Sequence, residues 1–420
     1  GDPDEAGNLD ELLSIVKTEL DGAVAAVEGP NEFDMWGGDD WISGLRPYQQ
    51  RLYSAVKSDP ALASLPVVGP SIVHRRNQEA LGNLSGDLDF GNIHSYPDGY
   101  GPEENLDRHL AAASLNSGSE PVMATETGYH TATGWDGEHN PVSEAAMATY
   151  VPRMFLEYFR RGIVRTFSYE LLDEEGGSGE REDNFGLLRN DFSEKPAFVA
   201  LRNTIDILED PGANFTPGSL AYALGDGSDD VHHILLQKRD GSFYLALWRA
   251  EDVIDPESQA PPAVPASPVN IRFGRQLTSA TSYVPNASNA PVGSLPAGGN
   301  EVTVNVGAEV VIVKLTLGGK AAVTGRIQAR LSRRSVPAGG LVAVTGRLPK
   351  SLAGRSLRVR IQQWQGRGWR TIGQSRTRKS GVFRKKIRLP IRRAGRASRV
   401  RVIAGAAKPS RPLRVRIRRR

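Results

Sequence analysis

Cysteine is absent from the 420-residue sequence, which excludes disulfide bonds and every site built on a thiolate. No run of 18 apolar residues occurs either, so no membrane-spanning helix is predicted. The chain begins with Gly1 rather than methionine, and no signal peptide is visible. We therefore expect that processing or truncation has removed the original start.

Acidic side chains are missing from the C-terminal part of the sequence. Residues 318–420 contain 31 Lys or Arg and no Asp or Glu. The other 317 residues contain 21 basic and 48 acidic side chains, a formal charge of −27, although the whole chain carries only +4. This separation predicts an acidic body and a basic module, and basic modules attract polyanions.

The first half of the chain alternates short apolar runs with amphipathic segments. Apolar residues at helical spacing predict helices at 9–21, 47–58, 103–115, 143–161 and 196–208. Apolar runs bounded by turn residues predict strands at 24–32, 65–71, 89–96, 121–128 and 163–170. Strands that alternate with helices are typical of a parallel sheet, so an α/β domain is predicted for residues 1–208.

The remainder of the chain has the two-residue period of β-strands. Apolar runs at 232–237 and 242–248 flank Arg239-Asp240-Gly241, which indicates a hairpin. Residues 256–268 are rich in proline and predict a loop. We expect two all-β sandwich domains at 209–317 and 318–420, and in the second of them apolar residues alternate with arginine.

Two glutamates follow predicted strands at corresponding places. Glu32 comes directly behind Asn31, after a Gly-Pro break, and Glu126 ends the strand at 121–128. Parallel strands of a barrel bring their C-terminal ends to one face, where barrel enzymes keep their catalytic residues. The pair therefore indicates the acid/base and nucleophile of a glycosidase, although a carboxylate in a surface loop gives the same pattern.

These features resemble the retaining (β/α)8-barrel glycoside hydrolases of the clan with two catalytic glutamates. Asn31-Glu32 matches the Asn-Glu pair that ends the fourth barrel strand, and Glu126 matches the nucleophile that ends the seventh. Residues 183–198 resemble the segment that enters the final helix, and 209–317 resembles the β domain that accompanies such barrels. The resemblance implies a TIM barrel of which only strands four to eight are present, with unpaired edges at 24–32 and 163–170.

The resemblance also implies roles for residues around the mouth of the barrel. Glu32 is expected to be the acid/base and Glu126 the nucleophile, with Asn31 bound to the sugar 2-hydroxyl. The other expected substrate-binding residues are His94, Tyr96, Tyr169, Glu170, Trp36, Trp41 and Trp135. One of Tyr169 and Glu170 should point into the cleft, and the tryptophans should stack on sugar rings. A structural role remains the alternative for each aromatic residue and for His94.

No cofactor or metal is expected from the sequence. His232 and His233 are adjacent in one strand and so face opposite ways, and the acidic turn at 226–230 lacks the rest of an EF-hand loop. The sequence predicts hydrolysis of β-glycosidic bonds by a secreted or cell-wall-associated bacterial protein. The alternative is a non-catalytic carbohydrate- or envelope-binding protein with a degenerate barrel.

The basic module at 318–420 is expected to bind an anionic cell-envelope polymer or an acidic polysaccharide. Specific nucleic-acid binding is not expected, because aromatic residues are few in the module and it contains no known nucleic-acid motif. A spacer whose arginines only confer solubility is the structural alternative.

Overall fold

The computed structural model describes residues 7–225, 228–262, 264–296, 299–318, 326–337, 339–349, 357–364, 369–389, 397–404 and 409–418. Its N-terminal part contains four parallel strands, which are β1 (Val27–Glu28), β2 (Val67–Val68), β3 (Gly91–His94) and β4 (Val122–Glu126). The helices are α1 (Gly7–Thr18), α2 (Phe33–Trp36), α3 (Trp41–Ser58), α4 (Arg75–Leu81), α5 (Leu106–Ser117), α6 (Glu144–Arg161) and α7 (Pro196–Leu208).

Consecutive strands of this part are neighbours in space and run parallel. β1 pairs with β2, a bridge joins Val68 to Phe90 just before β3, and β3 pairs with β4. A further parallel bridge joins Ala124 of β4 to Thr166. Since helices connect these strands, each carboxyl end lies at the same edge of the sheet, as the alternating pattern predicts.

Helix α6 shows how local sequence signals fix the ends of a helix. Ser143 caps α6 by accepting a hydrogen bond from the Ala146 N–H at 3.2 Å, and Gly162 ends the helix with a positive φ of 92°. Pro152 within α6 removes the N–H that would bond the Ala148 carbonyl. The Asn286 side chain, from the following β region, donates to that carbonyl at 3.1 Å and replaces the missing bond.

The middle of the chain forms two antiparallel sheets that enclose a core of Val, Leu, Ile and Phe side chains. Its strands are β5 (Tyr222–Leu224), β6 (Val231–Gln237), β7 (Phe243–Arg249), β8 (Ser267–Phe273), β9 (Leu277–Tyr283), β10 (Gly293–Leu295), β11 (Glu301–Val306) and β12 (Val311–Leu317). One sheet has the order β10-β9-β12-β7-β6 and the other β11-β8-β5. β6 and β7 form the predicted hairpin.

The basic module contains two further sheets around a separate apolar core. Its strands are β13 (Gln328–Leu331), β14 (Ser335–Pro337), β15 (Leu341–Arg347), β16 (Arg358–Trp364), β17 (Trp369–Arg376), β18 (Val382–Arg388), β19 (Ala397–Ile403) and β20 (Leu413–Arg418). The sheet orders are β13-β15-β18 and β14-β20-β19-β16-β17. The alternation of apolar residues and arginine along β16 and β20 thus produces sheets with one buried face.

Several predicted boundaries differ from the structure. The first strand ends at Glu28 rather than at Glu32, because Pro30 has no N–H with which to continue the pairing. The segment predicted as a strand at 163–170 has a single parallel bridge at Thr166, but its backbone is bonded along β4 from Val164, which donates to Val122, to Phe167, which donates to Ala124. The strand β8 begins inside the region predicted as a proline-rich loop.

The proposed division at 1–208, 209–317 and 318–420 remains a prediction from the sequence. The core of the middle region and that of the basic module each use residues of their own region alone. Between the first two regions, Leu156 and Ile207 pack against side chains of the middle region, Trp248 among them.

In the described residues, no helix is long and apolar enough to span a membrane.

Candidate active site

Glu32 is held by the loop that follows β1. A side chain at Gly29 would collide with Gln49 and with the backbone of Pro70, so only glycine allows the two strand ends to approach. Glu32 itself has a left-handed backbone, with a φ of 46° at the start of α2. Its N–H donates to Ser71 Oγ at 2.9 Å, and that hydroxyl donates to Asn31 Oδ1 at 3.2 Å. Ser71 therefore holds both residues of the Asn-Glu pair.

Glu126 lies at the end of β4, opposite His94 at the end of β3. The pairing register shifts between Ile93 and His94, so the two strands bring both side chains to the same edge. The Tyr96 hydroxyl donates a short hydrogen bond to the Glu126 carboxylate. Burial and the nearby Glu126 charge raise the pKa of Tyr96 well above its usual range, so the phenol remains a donor.

His94 lies between the two glutamates. Its Nδ1 is 2.7 Å from a Glu32 oxygen and 3.5 Å from a Glu126 oxygen, and its side chain is only 3% exposed. Its Nε2 is 3.1 Å from Thr125 Oγ1. Because both ring nitrogens are engaged, the imidazole is fixed in one orientation between the carboxylates.

The two carboxylates meet at one point of the molecule. One oxygen of Glu32 and one of Glu126 lie within 4.8 Å of each other, and the side chains remain 30% and 27% exposed. In the described part of the chain, neither carboxylate forms an ion pair with Lys or Arg. The group therefore combines two accessible carboxylates with one buried imidazole.

A second layer of polar residues lies beneath this group and was not predicted from the sequence. Thr125 Oγ1 lies 2.9 Å from Glu28 Oε1 and 2.8 Å from Asn92 Oδ1, and Asn92 donates to Glu28 at 2.7 Å. Burial raises the pKa of Glu28, against the hydrogen bonds from Thr125 and Asn92. These side chains connect the strands below His94 and hold the site from behind.

The glutamates open into a cavity of about 670 Å³, a size that suits a small-molecule or oligosaccharide ligand. Of the predicted substrate-binding residues, Asn31, His94, Tyr96 and Tyr169 line it. The lining residues that sequence reasoning missed include Asp98, His109, His139, Arg181, Glu182 and Phe185. Most of them belong to loops that follow parallel strands, and that position could have indicated residues that line the cavity.

The structure places the remaining predicted residues elsewhere. Trp41 is wrong as a substrate platform, because it is only 8% exposed and packs in an apolar core at the start of α3. Trp36 is 58% exposed and Trp135 packs under the Arg181 guanidinium, but neither is among the residues that line the cavity. Both were predicted from loop position, which does not determine side-chain direction.

Of the pair at the end of the last parallel segment, Tyr169 rather than Glu170 lines the cavity. One Glu170 oxygen is buried without a hydrogen-bond partner among the described residues. Burial, followed by the charges of Glu174 and Asp173, raises the pKa of Glu170 to about 7. Glu170 therefore faces the acidic loop.

Among the described residues, two groups of side chains have the geometry to hold a metal ion. The first is Glu32, His94 and Glu126, and the second is Glu103, Glu157 and His232. In the second group the carboxylates already accept hydrogen bonds from arginine and tryptophan side chains, which leaves little for a cation. As predicted, the neighbouring His233 turns to the opposite side, where its Nδ1 is 2.6 Å from the Tyr222 hydroxyl.

The sequence matches no protein-family model and no curated protein. The fold is similar to that of a family 39 glycoside hydrolase from the gut symbiont Bacteroides cellulosilyticus WH2, with a TM-score of 0.51 and 17% identity. That match covers 75% of this chain and 63% of the hydrolase.

Two further solved structures are more distant. A glucosidase from Croceicoccus marinus has a TM-score of 0.45 at 12% identity, over 76% of this chain and 75% of its own. CelM2, a bifunctional glucanase-xylanase from a metagenome library, has a TM-score of 0.44 at 12% identity, over 76% of this chain and 70% of its own. The first similarity shows that the chain shares its fold with a glycoside hydrolase.

Proposed function

We propose that this protein hydrolyses β-glycosidic bonds of an oligo- or polysaccharide by a retaining mechanism. The observation that carries the proposal is the approach of the Glu32 and Glu126 oxygens to within 4.8 Å beside an open cavity. Retaining enzymes hold their carboxyl groups about 5–5.5 Å apart, whereas inverting enzymes need about 6.5–9.5 Å to admit a water. The glycoside hydrolase fold supports the same assignment.

The positions of the glutamates support separate roles. In this proposal β1 to β4 and the segment near Thr166 correspond to strands four to eight of a (β/α)8 barrel. Glu32, which follows the first of these strands, is the acid/base. Glu126, at the end of β4, is the nucleophile.

The reaction proceeds in two displacements. The Glu126 carboxylate attacks the anomeric carbon while Glu32 gives its proton to the glycosidic oxygen, so the leaving sugar departs as an alcohol. Glu32 then takes a proton from water, whose oxygen attacks the same carbon and releases Glu126. The net change is one bond hydrolysed, with the configuration retained and no cofactor required.

His94 gives the acid/base a defined partner. His94 Nδ1 bonds one oxygen of Glu32, which leaves the other oxygen to carry the proton that passes to the glycosidic oxygen. His94 Nε2 bonds Thr125 Oγ1, which in turn bonds Glu28 and Asn92, so the imidazole is held in place from behind. The Tyr96 hydroxyl meanwhile orients the Glu126 carboxylate.

The test uses 4-nitrophenyl β-glycosides and the corresponding unactivated oligosaccharides. We expect Glu126→Ala to abolish turnover, and azide to restore it by attacking from the vacated side, which gives a glycosyl azide of inverted configuration. Glu32→Ala should slow unactivated substrates by about 10²–10⁴-fold, because only poor leaving groups need full protonation. Glu79→Ala, at an exposed position of α4, is the control.

Parental rates in both variants on every glycan tested would refute the assignment. An inactive parent protein that still binds oligosaccharides would instead favour a non-catalytic carbohydrate-binding protein. We further propose that the protein acts outside the cell or at the cell wall, where a polysaccharide is accessible to it.

A further inference from the structure

The five-stranded sheet of the basic module presents its arginines on one face. Along β16, β19 and β20, every second side chain faces the core, and all of these are apolar or small except Gln363, which donates to Ser398. The side chains between them include Arg358, Arg360, Arg399, Arg401, Arg414, Arg416 and Arg418. All are exposed except Arg401, which is half-buried. These seven residues are the arginine face.

Strand register brings these charges close together. Arg399 is directly opposite Arg414, and Arg358 is opposite Arg376 of the neighbouring strand. Like charges in such positions repel, because cross-strand Cβ atoms lie only about 4.5–5.5 Å apart. Residues 318–420 contain no acid, so nothing within the module relieves this repulsion. Such an arrangement favours a bound anion.

Two tryptophans fix part of the arginine face. Trp364 and Trp369 are opposite each other and pack edge to face, with ring centroids 5.6 Å apart. The Arg399 guanidinium lies over the first ring at 5.7 Å and that of Arg401 over the second at 4.4 Å. Arg401 also donates from Nε to Gln362 at 2.9 Å. These contacts orient both guanidinium groups before any ligand arrives.

The same contacts argue against nucleic acid. Proteins that bind single strands stack bases on free aromatic faces. Here arginine side chains already cover a face of each indole, so base stacking is obstructed while the guanidinium edges stay available. A guanidinium edge matches a carboxylate with two parallel hydrogen bonds.

We propose that the arginine face binds a linear acidic polysaccharide whose carboxylate groups pair with successive guanidinium groups. The choice of a glycan over other polyanions rests on the proposed function, since the enzyme would then hold a polymer of the class that it cleaves. Because binding and hydrolysis are measured separately, failure of one leaves the other standing.

The test measures binding of the full chain to immobilised polygalacturonate, with neutral dextran, poly(dT) and duplex DNA as competitors. The variant is Arg360→Gln/Arg414→Gln/Arg416→Gln. Its matched control is Arg330→Gln/Arg384→Gln/Lys386→Gln, which removes the same charge from exposed positions of the other sheet. Thermal melts of both variants confirm folding.

We expect the arginine-face variant to lose binding by about tenfold or more, because several ionic contacts disappear together, and the control to stay within about twofold. Binding of the parent should fall steeply between 50 mM and several hundred millimolar salt. Equal losses in both variants, or no loss in either, would overturn the proposal. If poly(dT) or duplex DNA displaces the protein from immobilised polygalacturonate at a lower concentration of negative charge than soluble polygalacturonate does, the arginine face would be assigned to nucleic acid instead.

Discussion

The part of the chain that the structure describes contains two groups of two glutamates and one histidine, and their surroundings differ. In each group the ligand atoms lie within 4.8 Å of one another. Glu32, His94 and Glu126 border an open cavity, whereas Glu103, Glu157 and His232 lie where α6 meets the middle β region. Residue type and spacing are therefore the same, and the surroundings decide what each group does.

The difference lies in the cations that accompany the carboxylates. Arg153 pairs with Glu103 at 2.7 Å, and Arg160 pairs with Glu157 through two nitrogens. Arg153 and the Glu157 side chain are fully buried. Such charges are compensated, and His232 connects them to the middle β region. Within the described ranges, the side-chain partners of the two cavity carboxylates are His94 and the Tyr96 hydroxyl, so these carboxylates remain free to react.

The largest expected effect is a difference in folding stability between matched variants of the two groups. Glu157→Gln should destabilise the fold by about 3–5 kcal/mol, because Arg160 loses its buried carboxylate partner and His232 loses one of its two. Glu126→Gln, the same change in the cavity group, should leave stability nearly unchanged, since the Glu126 side chain is partly exposed and forms no ion pair with Lys or Arg in the described part of the chain. Urea denaturation of both variants measures the contrast.

Equal destabilisation by the two substitutions would show that the cavity group also holds the fold together. Rates on glycosides provide the reverse comparison: the folded fraction of Glu157→Gln should turn over at the parental rate, while Glu126→Gln should be inactive. A folded but inactive Glu157→Gln would mean that the interface is needed to shape the cavity.

The sequence was sufficient for the cavity group but not for the interface group. Glu32, His94 and Glu126 follow or end separate short strands, and parallel strands converge at one edge, so proximity could be inferred. Glu103, Glu157 and His232 come from three elements far apart in the chain. Only the packing of α6 on β6 brings them together, and no periodicity encodes that contact.

Within the site, the polar layer beneath His94 was also beyond sequence reasoning. Glu28 lies in an apolar run within the strand predicted at 24–32, and nothing in that pattern indicates a role in the site. Its partners Asn92 and Thr125 lie on β3 and β4, which pair with each other. The directions of these side chains depend on a register that sequence alone does not give. Trp41 was misjudged because α3 begins six residues earlier than its periodicity indicated.

A smaller effect concerns the pH dependence of stability. Glu103 and Glu157 raise the pKa of His232 from 6.5 to about 9. Burial opposes ionisation of Glu103, yet bonds from His232, Arg153 and Trp248 lower its pKa from 4.5 to about 2. The stability that protonated His232 contributes is complete below pH 6.5 and is lost as pH rises through 9. The stability that ionised Glu103 contributes is complete above pH 4.5 and is lost as pH falls towards 2.

The contribution of this group to the melting temperature should therefore be largest between about pH 4.5 and 6.5. His232→Gln should flatten the alkaline decline, and His233→Gln, in the same strand but bound to Tyr222, should not. An alkaline decline that persists in His232→Gln would assign it to other groups.

The smallest expected effect concerns metal ions and compares the two groups directly. If the cavity group works as a glycosidase pair, a chelator should leave the rate unchanged within error, because acid/base and nucleophilic roles need no Lewis acid. Added Zn²⁺ should inhibit competitively with substrate, since two carboxylates and an imidazole nitrogen within 4.8 Å match its ligand preference. Calorimetry should show this binding lost in Glu126→Ala and kept in Glu157→Gln, whose group is already occupied by arginine hydrogen bonds. Loss of activity on chelation, restored by a divalent metal, would show that the cavity group is a metal centre and would replace the glycosidase proposal.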